Sequence, residues 1–156
     1  MIILRDFRES DRQALRHLYR DTQIATFHWL PASSFTLGDF DASIRGEEVF
    51  VAELQGQIAG FASVWVPDRF IHSLFVDPAW QGRGVGKALL QRCVDRLGVP
   101  VTLKCQQRNL RAIAFYQSQG WTIVEGAEDG LRGAYFLLRS ATANDVPSKF
   151  NGDCLI

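Results

Sequence analysis

The sequence predicts an α+β fold built on one mixed sheet whose strands are mostly antiparallel. Three apolar segments, at 49–54, 58–66 and 70–76, follow one another with only short turns between them, which is typical of an antiparallel meander. Helical and extended patterns alternate after this meander and give a strand–helix–strand–helix–strand section. A doubly wound parallel sheet would alternate strands and helices throughout, so the order of elements favours the mixed sheet.

Local signals define the elements that come before the meander. Residues 1–7 are rich in apolar side chains and predict a first strand. Ser10 and Gln13 have the spacing of a helix capping box, so the first helix is predicted to begin there. Thr36 predicts the cap of a short second helix. Between these two helices, residues 22–34 are apolar but too irregular for a long element.

Glycines indicate where the last two helices end, because Gly98 and Gly120 each follow a helical pattern. The predicted elements are, in order, a helix at 84–97, a strand at 101–105, a helix at 110–119 and a closing strand pair at 121–124 and 134–138. The whole fold then has about six to seven strands flanked by about four helices. Residues 1–139 are predicted to form one domain, and residues 140–156 a polar tail or an extension of it.

The overall composition limits the function classes. A chain of 156 residues is most simply one domain, and its 17 basic residues balance 17 acidic ones, which argues against a broad nucleic-acid surface. Arg5 and Asp6 interrupt the first apolar residues, and no apolar run approaches the roughly 20 residues that span a bilayer, so we expect no signal peptide and no membrane partner. Cys93, Cys105 and Cys154 are odd in number and widely spaced, which indicates a reducing cytoplasm and no zinc site.

A glycine-rich turn between Val76 and the helix at 84–97 is the clearest sign of a ligand. Glycines let the backbone approach a ligand, and the first N–H groups of a helix have no partner within it, so the turn predicts a cradle for phosphate oxygens. The glycine spacing does not fit a Rossmann turn, and Ala88 lacks the hydroxyl of a Walker loop. A glycine-rich turn without a ligand is the alternative. The cradle residues are Gln81, Gly82, Arg83, Gly84, Val85, Gly86 and Lys87.

A second segment, after the short strand at 101–105, carries a further motif. Together the two segments resemble the GNAT (GCN5-related N-acetyltransferase) superfamily, and the order of elements fits that family as far as residue 139. The matching residues are Gln81-x-x-Gly84-x-Gly86 in the turn and Asn109-x-x-Ala112-x-x-Phe115-Tyr116-x-x-x-Gly120-Trp121 in the second segment.

The resemblance implies how acetyl-CoA would be held, with no metal. In the GNAT fold strands four and five splay apart, and the pantetheine arm lies in the gap. Main-chain groups of Leu74, Phe75 and Val76 would pair with that arm, and the amides of residues 82–87 would hold the pyrophosphate. Asn109 would form a hydrogen bond to acetyl-CoA, although it could equally serve as the cap of the helix that follows it.

The same resemblance implies an acetyl-CoA-dependent N-acetyltransferase in which a primary amine attacks the thioester directly. The Val76 N–H would stabilise the oxyanion, and Tyr116 would be the general acid, with a packed aromatic as its alternative. His72 is the preferred base and His28 the weaker one, although a lone strand histidine is often structural. Lys104 stands where many members that acetylate protein N-termini have a glutamate, which speaks against that activity.

The acceptor is the least determined part of the interpretation. Aromatic residues of the loop before the second helix, with the acidic residues of a loop at 125–129, favour a compact small-molecule amine or a protein amine, and the alternative for the aromatics is that they anchor their loop on the core. A homodimer is also considered. The competing hypothesis is a non-catalytic binding module that senses acetyl-CoA and acts through a protein partner, with the segment 140–156 as its interaction tail.

Overall fold

The structure, a computed structural model, describes residues 1–141 and confirms the predicted α+β class. In that range four α-helices flank a seven-stranded sheet with the order β1-β2-β3-β4-β5-β7-β6. The elements are β1 (Ile2–Asp6), α1 (Arg12–Thr26), α2 (Gly38–Ser43), β2 (Glu48–Leu54), β3 (Gln57–Trp65), β4 (Phe70–Val76), α3 (Val85–Leu97), β5 (Thr102–Gln106), α4 (Leu110–Ser118), β6 (Thr122–Asp129) and β7 (Gly133–Arg139).

The sheet opens between its two central strands. Strands β1 to β4 are antiparallel neighbours, and β5, β7 and β6 form a second antiparallel group. The two groups join only through parallel β4 and β5, which pair at Phe70 with Thr102 and at Ile71 with Leu103. Beyond these two pairs the strands diverge, so the facing edges of β4 and β5 have no ladder between them. This is the predicted splay.

Apolar side chains cover both faces of the sheet. Helices α3 and α4 pack on one face, where Leu89, Cys93 and Phe115 are buried, and the first two helices pack on the other, where Leu15 and Phe40 are fully buried. Burying one such large side chain stabilises the fold by about 1.5–3 kcal/mol. Both faces of the sheet are closed in this way, and the gap between β4 and β5 is an opening within it.

The beginning and the length of α1 differ from the prediction. The capping box at Ser10 and Gln13 is wrong, because the Arg8 N–H donates to the Asp11 carboxylate at 2.8 Å, while Gln13 accepts from Arg16. The helix also continues to Thr26, into the segment predicted to be irregular. Its polar Gln23 is buried and extends the apolar face by one further turn, which a hydrophobicity pattern does not show.

Strand β6 is the second correction. It runs to Asp129 and pairs with β7 over that length, whereas residues 125–129 were expected to form a loop. As the edge strand of the sheet, β6 is mostly exposed from Thr122 to Glu128 and therefore lacks the alternating apolar pattern of a half-buried strand. Only the first two residues of the predicted tail at 140–156, and none after 141, lie within the described range.

Two of the three cysteines, Cys93 and Cys105, lie within the described residues, and both are buried. Burial raises the pKa of the Cys93 thiol to about 12 and that of Cys105 to about 11, so both behave as small buried apolar side chains. Cys154 lies outside the described residues.

Across residues 1–141 no helix is both long and apolar enough to cross a bilayer. In the same range no group of three His, Cys, Asp or Glu side chains is arranged to hold a metal ion.

Candidate active site

Two adjoining cavities occupy the gap in the sheet. One, of about 580 Å³, runs along β4 and β5 from Phe70 to Val76. The other, of about 680 Å³, lies between α1 and the ends of these strands. Val76, Gln81 and Asn109 line both of them, so together the cavities form one cleft.

The main chain of β4 presents hydrogen-bonding groups to this cleft. The Asp77 N–H donates to the Ala59 carbonyl at 2.8 Å, and Val76 is in register with Gly60. In an antiparallel ladder this makes Val76 a non-hydrogen-bonded partner of Gly60, so the N–H and C=O of Val76 point away from β3 and into the gap. Leu74, two residues earlier, has the same orientation.

Phe75 is oriented in the opposite way. Its carbonyl faces β3 so closely that a Cβ on Gly60 would lie 2.5 Å from it. Its ring packs against Tyr19 and Phe61. The main chain of Phe75 is therefore engaged with β3, and of the three β4 residues expected to pair with pantetheine only Leu74 and Val76 offer main-chain groups to the cleft.

The glycine-rich turn has the backbone geometry of an anion cradle. Gly82 and Gly84 have φ of +78° and +82°, values that residues with a side chain rarely adopt. Gly84 caps α3 and accepts from the Ala88 N–H at 3.0 Å, and the N–H groups of Val85 and Gly86, at the start of the helix, have no acceptor within it. Those donors, with the dipole of the 13-residue α3, are suited to an anion such as a pyrophosphate.

The side chains around the cradle lie in several environments. Gln81 lines the cleft, and the Arg83 guanidinium lies 5.1 Å from the centre of the Trp80 ring. Val85 and Gly86 are buried where α3 begins, and Lys87 is exposed on its first turn.

Tyr116 and Asn109 come to the cleft from α4. Tyr116 lines the cavity along β4 and β5, and its ring contacts Phe115 and Trp121. Burial raises the pKa of the Tyr116 phenol well above its ordinary value, so the hydroxyl is protonated at neutral pH and is available as a donor. Asn109 accepts from the Ala112 N–H at 3.1 Å, which confirms it as the cap of α4, and it also faces both cavities.

His72 lies on the same cavity with a carboxylate behind it. Its neighbours Ile71 and Ser73 are buried, while the His72 side chain is 42% exposed. Its Nδ1 lies 2.8 Å from Oε1 of Glu47 and 3.1 Å from the Ser43 carbonyl. Because both neighbours are acceptors, the neutral ring carries its proton on Nδ1, and Nε2 can accept a proton. The pKa of His72 is raised, chiefly by its hydrogen bond to Glu47.

Glu47 is the functional candidate that the sequence did not reveal. Its side chain is only 8% exposed, and its second carboxylate oxygen is buried without a hydrogen-bond partner among the described residues. In the sequence Glu47 and Glu48 form an acidic pair where β2 begins, which usually indicates a solvated surface. No local signal distinguishes Glu47, because its contact with His72 comes from the packing of α2 against the sheet.

Cationic side chains stand on aromatic rings around the same cavity. Lys104 Nζ lies 4.8 Å from the centre of the Tyr135 ring, and the Arg132 guanidinium lies 5.4 Å from that of Phe27. His28, the weaker base candidate, lines the cavity at α1 instead and packs edge-on against Trp29. The structure thus brings His72, Tyr116 and the Val76 main chain together on one cavity and leaves His28 in the other.

Comparison with known proteins decides the family. The sequence profile described as "Acetyltransferase (GNAT) family" matches residues 7–121, most of the described chain. The chain belongs to the GNAT acetyltransferase family. The GNAT fold is also found in the solution structure of apo YjaB from Escherichia coli, which has a TM-score of 0.72 and 22% identity and covers 92% of this chain and 99% of the other.

Curated relatives of this GNAT protein act on different amines by name. It is 39% identical over 87 residues to "Peptidyl-lysine N-acetyltransferase YiaC" of Escherichia coli K12, covering 56% of this chain and 58% of the relative. It is 36% identical over 91 residues to "L-methionine sulfoximine/L-methionine sulfone acetyltransferase" of Salmonella typhimurium LT2, covering 51% and 53%. The GNAT chain thus spans about half the length of the curated relatives that it matches.

Proposed function

We propose that this GNAT protein is an acetyl-CoA-dependent N-acetyltransferase that moves an acetyl group to a primary amine. The observation that carries the proposal is the cavity between β4 and β5, which His72, Tyr116 and the main chain of Leu74 all face. These three provide a proton acceptor, a proton donor and a main-chain N–H, which are the groups that attack on a thioester needs.

Binding of the donor is assigned to main-chain groups. The N–H groups of residues 82–87 hold the pyrophosphate at the beginning of α3, while Leu74 and Val76 bond to the pantetheine arm as a further strand would. Gln81 and Asn109 border the path between these two regions. Acetyl-CoA supplies the acetyl group as a reactive thioester, and a backbone-lined site holds it without a metal ion.

Each of the three groups has one role in the transfer. His72 Nε2 takes a proton from the incoming ammonium, so that the neutral amine nitrogen can form a bond to the carbonyl carbon. The Leu74 N–H, rather than that of Val76, which lies roughly 13 Å from His72, donates to the carbonyl oxygen as negative charge develops there. The Tyr116 hydroxyl donates its proton to the sulfur as the C–S bond breaks, and the second proton that the acylated nitrogen loses returns through solvent to the Tyr116 oxygen. Glu47 holds the imidazole of His72 in the tautomer that leaves Nε2 free.

The cellular compartment is part of the same proposal. The buried thiols of Cys93 and Cys105 are free, and free thiols persist in reducing compartments, which supports the cytoplasm as the site of action. The names of the two curated relatives support both protein and small-molecule amines as acceptor classes.

A thiol-release assay tests the function. The purified protein is incubated with acetyl-CoA and single amines from three classes, namely amino acids, aliphatic amines and short peptides, and free CoA thiol is followed with a chromogenic disulfide. Thiol release that depends on one amine class supports transfer. A raised melting temperature with acetyl-CoA but no thiol release with any amine contradicts transfer and favours the sensing module. At 100 times its dissociation constant, a bound ligand stabilises by about 2.7 kcal/mol.

A further inference from the structure

We propose that the acceptor amine carries a carboxylate close to its amino group, and that Lys104 and Arg132 bind this carboxylate beside His72. The inference rests on the proposed function, because it names the acceptor class of that same site. The kind of molecule is an amino acid with an apolar side chain, rather than a peptide N-terminus or a simple amine.

The charge of the cavity is the first observation. Its described lining holds three cations, Lys104, Arg111 and Arg132, and no aspartate or glutamate side chain. No described carboxylate lies within ion-pair distance of Lys104 or Arg132, whose charged groups lie over Tyr135 and Phe27 instead. Folded proteins rarely leave two cations in one partly enclosed site without a counter-charge, so an anion is the expected occupant.

The position of these cations separates them from the phosphate cradle. The parallel register, Phe70 with Thr102 and Ile71 with Leu103, brings Lys104 level with His72 on the neighbouring strand, and both side chains are exposed while those before and after them are buried. Arg132 is close enough to His72 for its charge to act on the imidazole. Val76, where the cradle turn begins, is four residues further along β4, roughly 13 Å away.

Neighbouring elements hold Arg132 over the cavity. The Trp29 ring nitrogen donates to the Leu131 carbonyl at 3.1 Å. With its amide turned so that the nitrogen faces acceptors, Gln106 donates to the carbonyls of Arg132 and Ala134 at 2.9 and 3.2 Å. These bonds fix the turn between β6 and β7 against β5 and the loop that follows α1, so the Arg132 side chain extends from an anchored backbone.

The two ends of the site match a zwitterion. A primary ammonium has a pKa near 10 and approaches as a cation, so Lys104 and Arg132 repel an acceptor without an anionic group. A carboxylate on the acceptor removes this repulsion and places the amino group at His72, which has the Glu47 carboxylate behind it. The rings of Phe27, Phe70 and Tyr135 line the rest of this end and suit an apolar side chain.

Three acceptors with the same phenyl ring test the effect of the carboxylate. L-phenylalanine carries a carboxylate, whereas L-phenylalaninamide and 2-phenylethylamine do not. We expect kcat/KM to be at least about tenfold higher for the acid, because charged hydrogen bonds contribute about that factor or more. Lys104→Gln and Arg132→Gln should each remove most of this preference, and each should raise kcat/KM for 2-phenylethylamine because one repelling charge is lost. Arg139→Gln, on β7 and outside the cavity lining, is the matched control and should preserve the preference. Equal or faster turnover of the amide and the amine overturns the inference.

A binding measurement keeps the inference separate from the proposed function. Calorimetry in the presence of CoA compares N-acetyl-L-phenylalanine with N-acetyl-2-phenylethylamine, on the wild-type protein and on Lys104→Gln. The acid should bind about tenfold more tightly to the wild type and lose that advantage in the variant. Equal binding of the two compounds, or tighter binding of the neutral one, overturns the inference. A preference for the acid without any turnover supports the anion site and counts against acetyl transfer.

Discussion

His72 Nδ1 lies 2.8 Å from Oε1 of Glu47, a carboxylate that is almost completely buried at the turn between α2 and β2. The two residues are 25 positions apart in sequence, and their contact orients the imidazole toward the cavity along β4 and β5. The carboxylate stabilises the imidazolium that forms when Nε2 takes a proton, and it keeps the neutral ring in one tautomer. Glu47 is therefore a positioning residue for the proposed base.

Glu47→Gln is expected to change the pH dependence of acetylation. His72 must be neutral to act as a base, so kcat/KM rises as the pH passes through its pKa. Glu47 and the Ser43 carbonyl raise the pKa of His72, and the charge of Arg132 lowers it. Loss of the carboxylate lowers that pKa and moves the acidic limb of the profile to lower pH. Because the amide no longer stabilises the imidazolium, kcat at the plateau also falls, by about tenfold or more.

The control for this profile is Glu48→Gln, measured with the same amine so that the amine's own ionisation cancels. Glu48 pairs with Arg96 on α3 rather than with His72. Its profile should coincide with that of the wild type. If the Glu47→Gln profile also coincided with it, the pairing of Glu47 with His72 would have no part in proton transfer.

Tyr116→Phe separates the general acid from a packed aromatic. The ring that contacts Phe115 and Trp121 is preserved, so the fold and CoA affinity should be unchanged. Loss of the hydroxyl removes the proton donor and should lower kcat about 100-fold. Steady-state kinetics together with CoA titration measure both effects. Unchanged kcat would assign Tyr116 to packing alone.

Gly84→Ala tests the anion cradle through its backbone. A Cβ at Gly84 would approach only Ile2 Cδ1, at 3.9 Å, so the substitution acts through the φ of +82° and not through a clash. We expect a loss of about 1 kcal/mol in the free energy of unfolding and about tenfold weaker CoA binding as the first N–H groups of α3 move. Gly56→Ala, with φ +76° in the turn between β2 and β3 and no atom beyond its chain neighbours within 4 Å of the added Cβ, should show the loss of stability alone. Equal CoA affinities of both variants and the wild type would contradict the cradle.

Asp11 is predicted to stabilise the start of α1. Both of its oxygens accept from Arg5 at 2.8 Å, and it is 4% exposed. Asp11→Asn should lower the free energy of unfolding by about 3 kcal/mol at pH 7, whereas Asp21→Asn, in an exposed pair with Arg20, should cost less than about 1 kcal/mol. Arg5 lowers the pKa of Asp11, so the stabilisation is present above the pKa of an unfolded aspartate and is lost as pH falls through the lower folded value. Urea unfolding at pH 7 and pH 3 measures this, and a difference that persists undiminished at pH 3 would contradict it.

The predictability of the site from sequence differs from residue to residue. The bounds of β4 followed from an apolar run that stops before a proline, and the glycines of the turn followed from the backbone conformations that they permit. Glu47 did not, because its role depends on how α2 packs against the sheet. The main-chain direction of Phe75 depends on its register with β3, which no single strand specifies. The edge strand β6 lacks an alternating apolar pattern because most of its side chains are exposed to solvent.

One measurement tests acetyl transfer through this cleft most directly. The protein is incubated with acetyl-CoA labelled with ¹³C in the acetyl group and with the amine that gives the fastest thiol release, and the amine is analysed by mass spectrometry. The wild type should yield the labelled N-acetyl amine, and His72→Asn should yield about 100-fold less at neutral pH while it still binds CoA. Recovery of the amine without a labelled acetyl group, under conditions in which acetyl-CoA raises the melting temperature of the wild-type protein, would contradict acetyl transfer through this cleft.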